Sequence, residues 1–309
     1  MRLVRFPNLI IVALTQYLLQ YLVLVPPYVY YQSQLELNDL IVLKPFQFFL
    51  LVISTICIAA GGYIINDIED VKIDKINKPE KKQIVGRQIS MQQAWILYIS
   101  ISLIGFFISV YLANYIHHFE QLVIYPCAVF LLYSYSRWLK KRPLIGNLVV
   151  SFFCAFVAFV VLYAQTIGSD MFAHWLADPE FDYLTIFLGY SIFAFLSTLF
   201  REIIKDMEDV VGDKAVDCKT LPIVLGIKTT KFIAFLVGIL LLIAVFYFSW
   251  LIDNWGWKFF LIHALISLPT LFSLYKLYLA KDKKDFTFLS QFAKLIMLSG
   301  LIFILVMQV

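Results

Sequence analysis

Two ten-residue segments carry the residues best equipped for chemistry. Asn66 to Lys75 reads NDIEDVKIDK, and 139 residues later Lys205 to Lys214 reads KDMEDVVGDK. Six of the ten positions are identical, namely Asp67/Asp206, Glu69/Glu208, Asp70/Asp209, Val71/Val210, Asp74/Asp213 and Lys75/Lys214. At about 100° per residue, positions i, i+3 and i+7 fall on one helix face. Asp67, Asp70 and Asp74 are therefore expected in one stripe with Asn66 beside it, and Asp206, Asp209 and Asp213 in a second with Lys205 beside it. Carboxylates held this close repel one another unless a cation sits among them, and hard oxygen ligands favour Mg2+ or Ca2+ over zinc. Mg2+ commonly bridges carboxylates to a substrate phosphate, which implies a phosphorylated ligand. Two copies with the same internal spacing point to one site built from two halves.

The elements that must position these stripes are membrane-spanning helices. The 309 residues are 61% hydrophobic and only 15% charged, with a mean hydropathy of +0.83, a composition that excludes a soluble globular chain. Stretches long enough to cross an apolar core of about 30 Å predict nine transmembrane helices, at 8–31, 46–66, 91–112, 119–138, 147–167, 183–204, 229–251, 257–279 and 289–308. The expected fold is an all-α polytopic membrane protein, a single domain over residues 1–309, with a parallel internal repeat. With the N-terminus cytoplasmic, 22 of the 25 Lys and Arg residues fall in cytoplasmic segments. Both acidic motifs then face the cytoplasm across the cytoplasmic membrane. Lys294 lies inside the last span near its cytoplasmic end, a position from which a lysine can snorkel. Membrane lipids are the expected surroundings, and no nucleic-acid partner is expected.

The remaining candidate chemistry is sparse. The first apolar stretch is too long for the core of a cleavable signal and is read as a retained span. Cys57, Cys127, Cys154 and Cys218 are scattered without ligand spacing, which argues against structural zinc or a disulfide framework. His117, His118, His174 and His263 are read as interfacial polar residues near the outer side. The loops on the motif side carry basic residues, including Arg87, Lys140 and Lys205, and the stretch YSRWLKKRPLIGN adds Tyr135 and Asn147. Cations facing carboxylates across a cavity mouth suit a metal-diphosphate, whereas topology alone also places Lys and Arg in such loops.

These motifs resemble the UbiA-type intramembrane prenyltransferases, nine-helix enzymes that attach polyprenyl chains to polar acceptors. The first signature of that family, N-D-x-x-D-x-x-x-D, is matched by Asn66, Asp67, Asp70 and Asp74. The second, D-x-x-D-x-x-x-D followed by K-T-[LI]-P, is matched by Asp206, Asp209, Asp213 and Lys219 to Pro222. A middle signature is similar to Tyr135, Ser136, Leu139, Lys140, Gly146 and Asn147. The resemblance implies two Mg2+ ions held by Asn66, Asp70, Asp74, Asp206, Asp209 and Asp213, with Asp67 in the same catalytic set. It further implies diphosphate contacts from Arg87, Lys140 and Lys205, and a reacting end lined by Tyr135 and Asn147. The implied donor is an allylic prenyl diphosphate, ionised to a delocalised cation and a diphosphate, in a cavity kept dry because water would also trap the cation.

The acceptor is less sharply marked. After the first motif, relatives often carry Arg-Pro-[LI]-Pro-Ser-Gly, whereas this chain has Lys81-Lys82-Gln83-Ile84-Val85-Gly86. Lysine keeps the charge and loses bidentate phosphate geometry. The run from Asp74 to Pro79 resembles the branch that prenylates geranylgeranylglyceryl phosphate, or the chlorophyll synthase branch, more than the branch acting on an aromatic acceptor such as 4-hydroxybenzoate. Three rival readings are weaker. A transporter would place its ionisable residues near the bilayer midplane. A CDP-alcohol phosphotransferase would continue D-G-x-x-A-R after its aspartates. A scaffold has no need of two acidic stripes.

Overall fold

The computed structural model describes residues 3–25, 42–71, 83–166 and 183–306, and all structural statements below concern those residues. They form nine long helices and no sheet, apart from an isolated bridge between Val85 and Ile89. In chain order these are α1 (Phe6–Leu24), α2 (Pro45–Glu69), α3 (Met91–Tyr115), α4 (Ile124–Arg137), α5 (Ile145–Thr166), α6 (Tyr183–Ala215), α7 (Leu221–Ile252), α8 (Trp257–Leu279) and α9 (Lys283–Val306). Eight are long and apolar enough to cross a membrane; α4, 14 residues long, is the exception and is preceded by a 3-10 turn at Phe119–Val123. A chain this apolar has no water with which to pair its backbone, so helices satisfy each N–H and C=O internally. Prolines open α1, α2 and α7, where the missing N–H costs nothing, and α3 begins with a Ser90–Gln93 capping box.

Two bodies of packing hold the bundle. α2 packs on α3 and α4, and α6 packs on α5, α7 and α9, while α1 touches α2, α5 and α9. One buried cluster joins Leu19, Phe48, Val161 and Phe187, which ties α1, α2, α5 and α6 together. A second joins Phe200, Ile203, Ile204, Ala234, Leu277 and Leu289 around α6 at its motif-bearing half. Large apolar side chains such as Phe107, Phe130, Phe232 and Ile243 are exposed on outer helix faces, as lipid contact requires. The chain is an integral membrane protein.

The helix limits revise the expected spans at the acidic motifs. The sixth helix does not stop near 204 but continues to Ala215, so the entire second motif is helical. The second helix ends at Glu69, and Asp70 leaves it with φ −88° and ψ 3°. A single helical stripe through Asp67, Asp70 and Asp74 is therefore not what α2 presents. Asp74 itself lies outside the described residues, as does His174.

Candidate active site

The 3-10 turn Leu139–Lys141 and the start of α5 bridge the two acidic segments. Lys140 Nζ lies 2.5 Å from Asp70 Oδ1 and donates to Asn66 Oδ1 at 3.2 Å. Asn66 Nδ2 in turn donates to Asp70 Oδ2 at 2.7 Å. Seven residues beyond Lys140, Asn147 Nδ2 donates to Asp206 Oδ2 at 3.0 Å. Position 146 must be glycine for this to work, since a Cβ there would stand 2.7 Å from the Lys140 Cα. One short connection thus reaches both halves of the site.

The loop after the second motif is stitched to the same turn. Lys219 N donates to Lys141 O at 2.8 Å, and Thr220 Oγ1 donates to Asp213 Oδ2 at 3.4 Å, just before Pro222 enters the first turn of α7. These contacts give the Lys-Thr-Leu-Pro segment a physical role: the lysine backbone anchors the loop, the threonine hydroxyl holds a motif carboxylate, and the proline starts the next helix. Lys205 Nζ lies 4.0 Å from Asp209 Oδ2, one turn along α6. Asp213 lies within electrostatic range of Asp209 and of Asp70 on the opposite half. Half-buried Tyr135, near the end of α4, is within range of Glu202, Asp70 and Asp206 together. Both acidic segments therefore face one space at one end of the bundle.

Asp67 and Arg87 are placed differently from these residues. Asp67 is buried and accepts from Arg5 NH2 at 3.4 Å, and the Arg5 guanidinium stacks 4.8 Å over the Tyr63 ring. Arg87 is exposed on the turn between Val85 and Ile89, where Gly86 adopts φ +85°. The residues between Val71 and Gln83 lie outside those described. Three contributors are not legible in the sequence: Arg5 lies outside every motif, Thr220 enters only through the Lys-Thr-Leu-Pro run, and the Arg201–Glu202 ion pair, one turn inward from Lys205 and Asp206, belongs to no motif.

The donor set suits a hard divalent cation. Asn66, Asp70, Asp206, Asp209 and Asp213 offer only oxygen atoms as ligands. Cys218, the cysteine nearest Asp213, is buried, and burial followed by the Asp213 charge pushes its thiol up, away from a metal-binding thiolate. Among the described residues, no three His, Cys, Asp or Glu side chains close around a common point. Asp70 instead takes the Lys140 ammonium between its neighbours, as like charges brought together require.

A helical membrane protein whose paired acidic segments meet a basic turn at one end of the bundle can hold a hard cation and an anionic group side by side. The chain belongs to the UbiA prenyltransferase family, whose model matches residues 36–298. It is 37% identical over 202 residues to the digeranylgeranylglyceryl phosphate synthase of Sulfurisphaera tokodaii, a match covering 65% of this chain and 66% of that relative. Its fold is similar to the apo structure of a UbiA homolog from Aeropyrum pernix K1, with a TM-score of 0.68, 18% identity and coverage of 96% of this chain and 98% of that one. It is also similar to the structure of a UbiA homolog from Archaeoglobus fulgidus bound to DMAPP and Mg2+, with a TM-score of 0.58, 17% identity and coverage of 99% and 98%.

Proposed function

We propose that the chain transfers a geranylgeranyl group from its allylic diphosphate to the hydroxyl of a glyceryl phosphate lipid, in a Mg2+-dependent reaction at the cytoplasmic end of the bundle. The observation that carries this reading is the bridge from Lys140 to Asp70 and from Asn147 to Asp206, which brings a cation and an amide to two carboxylate clusters at once. The likeness to digeranylgeranylglyceryl phosphate synthases supports the choice of acceptor.

Asn66, Asp70, Asp206, Asp209 and Asp213 would hold Mg2+, together with Asp74. Bound there, the metal supplies Lewis-acid neutralisation of the diphosphate. The chain's own groups do the rest. Lys140 exchanges its contact with Asp70 for a diphosphate oxygen, and Lys205 adds a second ammonium, with Arg87 as a further donor from the adjoining turn. As the allylic C–O bond breaks, these fixed cations face the charge that develops on the leaving group. Asn147 and Tyr135 line the reacting end. The apolar helix walls exclude water, which would otherwise compete with the acceptor hydroxyl for the carbocation.

The test is product analysis with radiolabelled geranylgeranyl diphosphate, Mg2+ and two acceptors offered in parallel, geranylgeranylglyceryl phosphate and 4-hydroxybenzoate. Product with the glyceryl phosphate, absent without Mg2+ and absent in Asp70→Ala and Asp209→Ala, is expected. Product with the aromatic acid alone would overturn the acceptor, and failure to bind any prenyl diphosphate would overturn the reaction.

A further inference from the structure

Two contacts fix the register of α6 against α9, which run antiparallel. Near the motif end, Glu208 on α6 accepts from Thr287 Oγ1 at 3.0 Å and from Ser290 Oγ at 2.7 Å. Fifteen residues deeper along α6, Gly300 of α9 lies so close to the Phe193 ring that any side chain at position 300 would overlap it. Between these contacts Lys294 falls opposite Arg201.

The helical period puts both on the side of the seam that faces the acidic site. Arg201 precedes Glu208 by two turns and shares its face, and Lys205 lies between that face and the one carrying Asp206 and Asp209. Lys294 follows Ser290 by one turn. It is exposed, and it stands about 16 Å along α9 from Lys283 at 1.5 Å per residue. That is deeper than a lysine placed only to mark a helix end. Arg201, Lys205, Glu202 and Glu208 all lie within electrostatic range of Lys294.

The acids in this group are already taken. Glu208 is held by Thr287 and Ser290, and Glu202 pairs with Arg201 NH1. Lys294 has no ion-pair partner among the described residues, and the Arg201 Nε is buried without a hydrogen-bond partner among them. The seam therefore holds one ammonium without an ion-pair partner and, on the Glu202-paired Arg201, one buried N–H donor left unsatisfied, a donor that is costly to leave unpaired.

We infer that Lys294 and Arg201 form a second anion site, beside the metal-diphosphate site, that takes the phosphate monoester of the acceptor lipid. This inference rests on the glyceryl phosphate reading above. The geometry suits that acceptor class, because its reacting hydroxyl and its phosphate are separated by only two carbons and an ester oxygen. A phosphate bound at Arg201 leaves that hydroxyl within about one helical turn of it, on the side of Lys205, which separates this face from the acidic one. Guanidinium and ammonium donors together satisfy a phosphate better than either alone.

Binding to the full-length protein in lipid nanodiscs, followed by native mass spectrometry, tests this. The probes are geranylgeranylglyceryl phosphate, geranylgeranylglycerol and geranylgeranyl diphosphate. The unaltered protein should prefer the phosphate over the alcohol by about ten-fold or more, as expected for one charge-assisted anion contact. Lys294→Gln should lose that preference, Lys294→Arg should keep most of it, and the affinity for the diphosphate should be the same in all three proteins. An unchanged preference in Lys294→Gln, or an equal loss of acceptor and diphosphate affinity, overturns the inference. Turnover by the same samples reports separately on the reaction. Phosphate-selective binding that depends on Lys294 without product removes the proposed reaction and keeps the anion site, whereas product with no dependence on Lys294 does the reverse.

Discussion

The two acidic segments share a spacing and differ in how their charges are held. In the first, α2 ends within the motif, and both carboxylate oxygens of Asp70 are engaged, by Lys140 Nζ at 2.5 Å and Asn66 Nδ2 at 2.7 Å. In the second, α6 stays helical to Ala215, and among the described residues Asp206, Asp209 and Asp213 each meet a partner through Oδ2: Asn147 at 3.0 Å, Lys205 at 4.0 Å and Thr220 at 3.4 Å. Asp70 caps the negative end of a helix dipole, where a carboxylate is disfavoured and a lysine offsets both charges. A repeated sequence thus specifies two charge clusters, and the neighbours supplied by the rest of the fold make one closed and one open. On the proposed mechanism, the first half must release Lys140 to engage a ligand, whereas the second already presents free oxygen positions.

Substitutions that break this comparison should rank by how many of these contacts they remove. Asp70→Ala and Asp209→Ala should each lower turnover by about 10²–10³-fold or more, the scale seen when one preorganised electrostatic contact to a developing charge is lost, as a steady-state assay of prenyl transfer would record. Lys140→Met should cost about 10–100-fold in kcat/KM for the diphosphate, because a charge-assisted contact is worth about 1.5–3 kcal/mol. Lys140→Arg should recover part of that loss. Asn147→Ala should lie at the lower end of the same range, about ten-fold, and act on the second half alone. A structural consequence comes from Gly146→Ala, whose new methyl would stand 2.7 Å from the Lys140 Cα. It should destabilise the protein by about 1–3 kcal/mol, visible as a lower Tm. Thr220→Val should be the mildest, about 0.5–1.5 kcal/mol, and its effect on the melting temperature should exceed its effect on donor binding.

The pattern of charge and hydropathy in the sequence carries the helices and the motifs well, and for a stated reason: a lipid environment permits only long apolar segments. Nine apolar stretches correspond to nine helices, with the largest errors at α6 and α7, where the expected limits of 204 and 229 give way to Ala215 and Leu221. The α6 extension, residues 205–215, is polar, and hydropathy cannot see a helix that extends out of the apolar layer; the α7 extension, LPIVLGIK, is apolar and is set off from the long span by a break at Gly226, where φ is +78°. The partners of the acidic residues were equally hidden. Lys140 and Asp70 are 70 residues apart and Asn147 and Asp206 are 59 apart, so only the packing of α4 and α5 against α2 and α6 brings them together. Asp67 sits in the same spacing pattern as its neighbours, yet its side chain is buried against Arg5. Periodicity gives the face of a residue on an ideal helix, and it says nothing of which neighbour occupies that face.

The central claim is that the two halves make one ligand site. Isothermal titration of geranylgeranyl diphosphate in the presence of Mg2+ tests it most directly, with the unaltered protein, Asp70→Ala and Asp209→Ala measured side by side. The account predicts that either substitution alone removes most of the donor affinity. Affinity unchanged in one of the two variants would show that a single half suffices, and would contradict it.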